Sequence, residues 1–249
     1  PKHSIWRSDA AYDYVDGLHP AELAWEYLRR NPDYHREYRQ ALRLGHDENL
    51  AQRWGLDFAI DPAKGADRVN VFWLPHLDQS VVLLGPAPPG FSASADLAGL
   101  TPAEHHVASD GEYFVVRHET ARITAVMVAG ANPATPLAAL IPLDASFPAR
   151  SAAALRLSRM LSQGQLQRAP DPLTPQRRQR LRLALRALDG RLAKATYREL
   201  AQVLFGGPQD SNSWKTHELR DRTIRLVRIG LDLMRGGYRA LLRIPTRRK

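Results

Sequence analysis

Leu181, Leu185, Leu188 and Leu192 recur at helical spacing through QRRQRLRLALRALDGRL, and most of the arginines fall elsewhere on the wheel. Thr174 caps this segment and Pro175 takes its first position, where a missing N–H costs nothing, so the pattern predicts a helix over about 175 to 191. TYRELAQVLFGG, residues 196 to 207, predicts a second, shorter helix. Thr196 and Glu199 have capping-box spacing, Leu200, Ala201, Leu204 and Phe205 make one apolar stripe, and Gly206 with Gly207 supplies the stop. A polar turn, GGPQDSNS, leads to a long helix starting near Trp214, with Leu219, Thr223, Leu226, Val227, Gly230, Leu233 and Met234 on one side. His217, Arg220, Asp221, Ile224, Arg225 and Arg228 fall on the other side or its borders.

Toward the N-terminus the apolar positions again keep helical spacing, punctuated by prolines. His19-Pro20 opens AELAWEYLRR, and Asn31 caps a helix beginning Pro32-Asp33-Tyr34. Leu23, Trp25, Tyr27 and Leu28, followed by Tyr34, Tyr38 and Leu42, predict an aromatic helical hairpin whose rings form core. Between about 69 and 143 the period changes. VNVFWL, SVVLLG, YFVVRH, RITAVMV and LAALIPL are short β-rich runs bounded by Pro, Gly, Asp or Asn, which predict five strands in a small, mostly antiparallel sheet. GPAPPGFSASADLAGL reads as a linker or long loop, and ARSAAALRLSRMLSQG as a further amphipathic helix. The fold class is therefore α+β: a helical N-terminal segment, a β-sheet in the middle, and a C-terminal helix-turn-helix. The corresponding division is 1–90, 91–148 as a β-rich connecting region, and 149–249.

Charge changes the picture once it is divided along the chain. Residues 1–149 hold 12 Lys+Arg and 19 Asp+Glu, net −7, whereas residues 150–249 hold 23 and 7, net +16. A basic half of this kind has the electrostatic footprint of a phosphate-neutralising surface. The helix pair then places Ser213, Lys215, Thr216, His217 and Arg220 where base edges in a major groove would lie, with Arg225 on an adjacent phosphate. Thr196, Tyr197 and Arg198 stand at the short helix's N-terminus, where free amides favour a phosphate. Each has a plainer reading: Thr196 caps with or without DNA, Tyr197 packs, and Arg225 pairs with Asp221 at helical spacing. Trp214 reads as a core anchor.

The sequence holds no cysteine, which excludes disulfides, thiolate catalysis and Cys-based zinc sites. No run is long and apolar enough for a membrane helix and PKHSIWRSDAAYDY lacks the apolar centre of a signal peptide, so the expected location is the cytoplasm. His217-Glu218 and His118-Glu119 do not extend to HExxH, His105-His106 are adjacent rather than one helical turn apart, and there is neither a Walker loop nor a GxGxxG. The expectation is a protein that is not an enzyme and has no metal site and no cofactor.

Two stretches resemble a known family. YDYVDGLHPAELAWEYLRRNPDYHREY, residues 12 to 38, resembles the N-terminal transcriptional regulator-like domain of proteobacterial proteins. LRALDGRLAKATYRELAQVLFG, WKTHELRDRTIRLVRIG and LMRGGYRALLR resemble the C-terminal helix-turn-helix variant found with it, long catalogued as a domain of unknown function. The two-part arrangement is similar to that of FseA-like transcriptional activators of integrative and conjugative element excision. The resemblance implies binding to double-stranded promoter DNA, contact with RNA polymerase and control by a small antiactivator protein. Because the family includes single-domain antiactivators, the competing reading is an interaction module that binds another regulator in place of DNA.

Overall fold

The computed structural model describes residues 2–45, 49–91, 102, 104–108, 110–118, 121–132, 134–164, 166, 169–206 and 218–243. The architecture is α+β, with the chain dividing into two compact units. The first comprises Pro1–Leu50, Ala59–Val71 and Leu173–Leu241, and the second Ala51–Phe58, Phe72–Pro172 and Leu242–Lys249.

The first unit is helical: α1 (Pro20–Leu28), α2 (Pro32–Leu44), α5 (Pro175–Leu192), α6 (Tyr197–Phe205) and α7 (Glu218–Met234), preceded by short 3-10 turns at Lys2–Arg7 and Ala10–Gly17; a one-turn α3 (Leu50–Arg53) follows α2 in the chain. The expected starts are observed. His19 and Asn31 cap α1 and α2, each with Pro in the first turn, and Thr174 Oγ1 accepts from the Arg177 N–H at the head of α5. Every residue of α1 is buried, including Glu22 and Glu26. Leu23, Trp25, Tyr27, Leu28 and Tyr34 are core as the spacing predicts, but Tyr38 is only half-buried and Leu42 is exposed, because burial on α2 is confined to its first turn. Trp6, Ala184, Ala187, Ala195, Leu200, Leu226 and Val227 form one apolar cluster joining the N-terminal turn to α5, α6 and α7. Gly230 lets α7 approach α5 closely: a Cβ there would lie 2.7 Å from the Ala184 carbonyl oxygen. Leu192, expected on the α5 stripe, is exposed because the helix ends there and the chain turns through Lys194 at φ 65°.

The second unit is a five-stranded mixed sheet, β1 (Val82–Pro86), β2 (Glu104–Ala108), β3 (Gly111–His118), β4 (Ala121–Val128) and β5 (Leu137–Leu140), in the order β2-β3-β4-β1-β5. All pairings are antiparallel except β1 with β4. Helix α4 (Phe147–Gln163) packs Ala153, Leu157 and Met160 on Val82, Leu84, Ile123 and Ala125, so that face of the sheet is covered. The other face carries Phe72, Val81, Tyr113, Val115 and Val126. VNVFWL corrects one expectation: it forms only an isolated bridge, Leu56 to Trp73, because its backbone bonds go to residues 55 and 57 of a short loop and not to a long neighbour. The fifth strand is instead β2, EHHVA, which lies at one edge of the sheet and alternates half-buried with exposed positions because successive side chains take opposite faces.

Candidate nucleic-acid interface

Three arginines of α5, four residues apart, make a stripe that by sequence belongs to the basic surface. The structure turns it inward. Arg178 donates to the Val15 and Leu18 carbonyls at 3.1 and 2.8 Å. Arg182 is held by Asp13 at 2.6 Å, Asp16 at 2.8 Å and Asp9 at 3.2 Å. Arg186, buried, donates to the Trp6 and Arg7 carbonyls and pairs with Asp9 at 2.8 Å. Part of the positive charge of the C-terminal half is thus neutralised internally by the acidic N-terminal turn, which a whole-segment charge count does not distinguish from free charge.

A second internal network sits beneath it. Asp189 of α5 accepts from Arg30 Nε at 2.6 Å, Arg30 Nη2 at 2.8 Å and the Tyr12 hydroxyl at 2.6 Å. Arg30 also reaches Glu26 Oε2 at 2.6 Å, where Arg29 and Tyr14 donate as well, while the Ala66 N–H donates to Oε1. Burial alone would raise the Glu26 carboxyl, but Arg30, Arg29 and the Ala66 amide hold it down to about 2. Burial, with the adjacent Asp189 carboxylate, pushes the Tyr12 hydroxyl far above the ordinary tyrosine range.

The outward arginines differ. Arg222 and Arg225 on α7, with Arg180 on α5, are exposed and have no acidic partner among the described residues; Arg222 is stacked on the Phe205 ring at 4.1 Å. Arg220 has Asp221 at 3.5 Å, with both side chains exposed. Asp221 therefore lies beside Arg220, and no pairing with Arg225 is formed among the described residues. Arg180, Arg222 and Arg225 line an open cleft of about 410 Å³ between α5 and α7, together with Gln176, Gln179, Leu183, Leu226 and Ile229.

The residues expected at the head of α6 are present and ordered by local chemistry. Thr196 and Glu199 form the reciprocal cap: the Glu199 N–H donates to Thr196 Oγ1 at 3.2 Å, and the Thr196 N–H donates to Glu199 Oε2 at 2.7 Å. Tyr197 lies exposed beneath the Arg191 guanidinium, 4.9 Å from its ring centre, while Arg191 itself donates to the Ala195 carbonyl. Arg198 is half-buried, with its Nε lacking a partner among the described residues. Ser213, Lys215, Thr216 and His217, like Trp214, lie outside the described residues. The stripe of α6 is corrected in detail: Leu200 and Ala201 are buried, whereas Leu204 and Phe205 are half-buried at the end of the helix. Sequence reading missed Arg180, Arg222, Gln176 and Gln179. Their signal was available as Gln176, Arg180, Leu183 and Arg222, Arg225, Ile229, each a set on one helical face, but nothing in one sequence says that the two faces adjoin.

Among the described residues no group of three His, Asp or Glu side chains is arranged to hold a metal ion, and no helix is long and apolar enough to cross a membrane. What the helical unit does present is a set of exposed guanidinium groups with no acidic partner among the described residues, the chemistry of a surface suited to a polyanion. Residues 5–59 match the model of the proteobacterial transcriptional regulator-like domain, as expected for that segment, and residues 140–243 match that described as "T6SS, Transcription factor, DNA binding domain". The chain is a transcriptional regulator with a DNA-binding domain. No curated protein and no solved structure matches it.

Proposed function

We propose that the chain is a cytoplasmic transcriptional activator that binds promoter DNA through α6 and α7 used as a helix-turn-helix. The observation that carries this reading is the sorting of arginines: those at 178, 182 and 186 are consumed by the N-terminal turn, while Arg220, Arg222 and Arg225 face outward on one helix. In this reading Ser213, Lys215, Thr216, His217 and Arg220 meet base edges in the major groove. Arg225 takes a flanking phosphate, and Thr196, Tyr197 and Arg198 seat a phosphate at the head of α6. Resemblance to FseA-like activators supports excision and transfer genes of an integrative and conjugative element as the target, with RNA polymerase and a small antiactivator protein as partners.

Fluorescence-polarisation titration of a labelled promoter duplex at two salt concentrations tests the reading. Binding at micromolar or tighter Kd that weakens steeply with salt is expected. Absence of DNA binding, with salt-indifferent binding to another regulator, would replace it with the interaction-module reading.

A further inference from the structure

The cleft between α5 and α7 has features that a seat for duplex phosphates does not need. Among the described residues its walls carry three guanidinium groups and no carboxylate, and its lining includes the aliphatic side chains of Leu183 and Ile229, half-buried, above the buried Leu226. A phosphate on a passing DNA backbone requires surface cations only, and would leave that apolar floor wet. A concavity of about 410 Å³ falls within the roughly 300–1,000 Å³ typical of small-molecule sites, which combine apolar lining with a few convergent polar groups. Gln176 and Gln179 add amides, each offering both a donor and an acceptor. The Phe205 ring lies under the Arg222 guanidinium, 4.1 Å from Cζ to the ring centre, a cation–π contact that uses none of the N–H donors an anion would need.

We propose that this cleft binds a nucleoside phosphate: the phosphates pair with Arg180, Arg222 and Arg225, the base lies on Leu183 and Ile229, and the Gln176 and Gln179 amides meet the base or ribose edges. The pocket stands on the geometry of the cleft alone. Its consequence for regulation rests on the reading above, because Arg225 would serve both ligands, so an occupied cleft competes with DNA.

The test uses the full chain and two fluorescent probes, the N-methylanthraniloyl derivatives of ATP and GTP. At least one of the two is expected to bind saturably and with one-to-one stoichiometry below about 1 mM, and to be displaced by the unlabelled nucleotide far more effectively than by inorganic pyrophosphate. Arg222→Gln and Ile229→Ser should each weaken it by roughly tenfold or more, as loss of a charge-assisted bond or of apolar contact implies. Arg235→Gln, exposed and outside the cleft lining, should leave it unchanged. Thermal melts of all three variants establish that each is folded, and Arg225→Gln replaces either cleft variant that is not. Failure of both probes to saturate, equal displacement by pyrophosphate, or equal weakening by Arg235→Gln would overturn the pocket. Promoter titrations run in parallel keep the two ideas separate: DNA binding without nucleotide binding removes the pocket and leaves the promoter reading, and the opposite result removes that reading and leaves the pocket.

Discussion

Arg30 grips Asp189 with two parallel N–H bonds, Nε to Oδ1 at 2.6 Å and Nη2 to Oδ2 at 2.8 Å, and thereby ties the turn between α1 and α2 to α5. The segments matched separately, residues 5–59 and residues 140–243, thus share part of one folded unit. Asp189→Ala leaves the Nε and Nη2 donors of a mostly buried guanidinium and the Tyr12 hydroxyl without their acceptor, with Arg30 still paired to Glu26 through Nη1. The expected loss is about 3 kcal/mol, seen as a fall in Tm of roughly 6–12 °C by calorimetry. By the same logic a fragment starting at residue 173 should lack cooperative unfolding, since Trp6 and Tyr27 are buried in the unit it would leave open.

The inward and outward arginines should respond oppositely to substitution. Arg225→Gln is expected to weaken DNA binding about equally for all sequences and to lower the slope of log K against log salt by about 1. Arg182→Gln should lower Tm, because Asp9, Asp13 and Asp16 then repel one another, yet leave that slope unchanged. A salt series on both variants checks this; a slope change confined to Arg182→Gln would invert the assignment.

Glu26 sets an acid limit on the helical unit. Its folded carboxyl sits at about 2, below the ordinary value, so it contributes stability above the unfolded value near 4.5 and loses it as pH falls toward 2. The contribution is roughly 3 kcal/mol. Denaturant unfolding should show stability dropping through that window in the wild type and a flatter profile in a less stable Glu26→Gln.

Asp57 in the sheet unit has the opposite sign. Burial, opposed by the Tyr113 hydroxyl bond and reinforced by Asp110, raises its carboxyl to about 7, and its Oδ2 has no partner among the described residues. The protonated form is the one the fold prefers, so this group favours folding at low pH and loses that preference as pH rises from about 4 through 7. Asp57→Asn, which mimics the protonated acid, should raise Tm at pH 8 by a few degrees, on the order of 1–2 kcal/mol, with a smaller rise at pH 5 and none near pH 4.

Packing of the three helices gives a further pair. Leu200→Ala should cost roughly 2–5 kcal/mol through a cavity, whereas Leu204→Ala, at a half-buried site, should cost less than half as much. Gly230→Ala places a methyl group 2.7 Å from the Ala184 carbonyl oxygen and 2.9 Å from Leu188 Cβ, and should cost about 1–3 kcal/mol by forcing α7 away from α5. Urea midpoints rank the three.

Local order was largely legible in the chain itself. The caps at Asn31, Thr174 and Thr196, the helices they start and four of the five strands follow from side-chain hydrogen bonding to neighbouring amides and from apolar period. Such signals act within a few residues, so one sequence contains them in full. The role of each charge was not legible. Arg182 and Arg225 have the same chemistry and similar helical surroundings, and only the Asp9-Asp13-Asp16 turn, far away in sequence, makes the first internal and leaves the second outward. Likewise Glu26 reads as a surface acid until Arg29, Arg30, Tyr14 and the Ala66 amide converge on it. The sequence determined the helices, most strands and the sign of the charge; the tertiary structure decided where that charge is free, because neutralisation depends on distances between residues that the chain order leaves unconstrained.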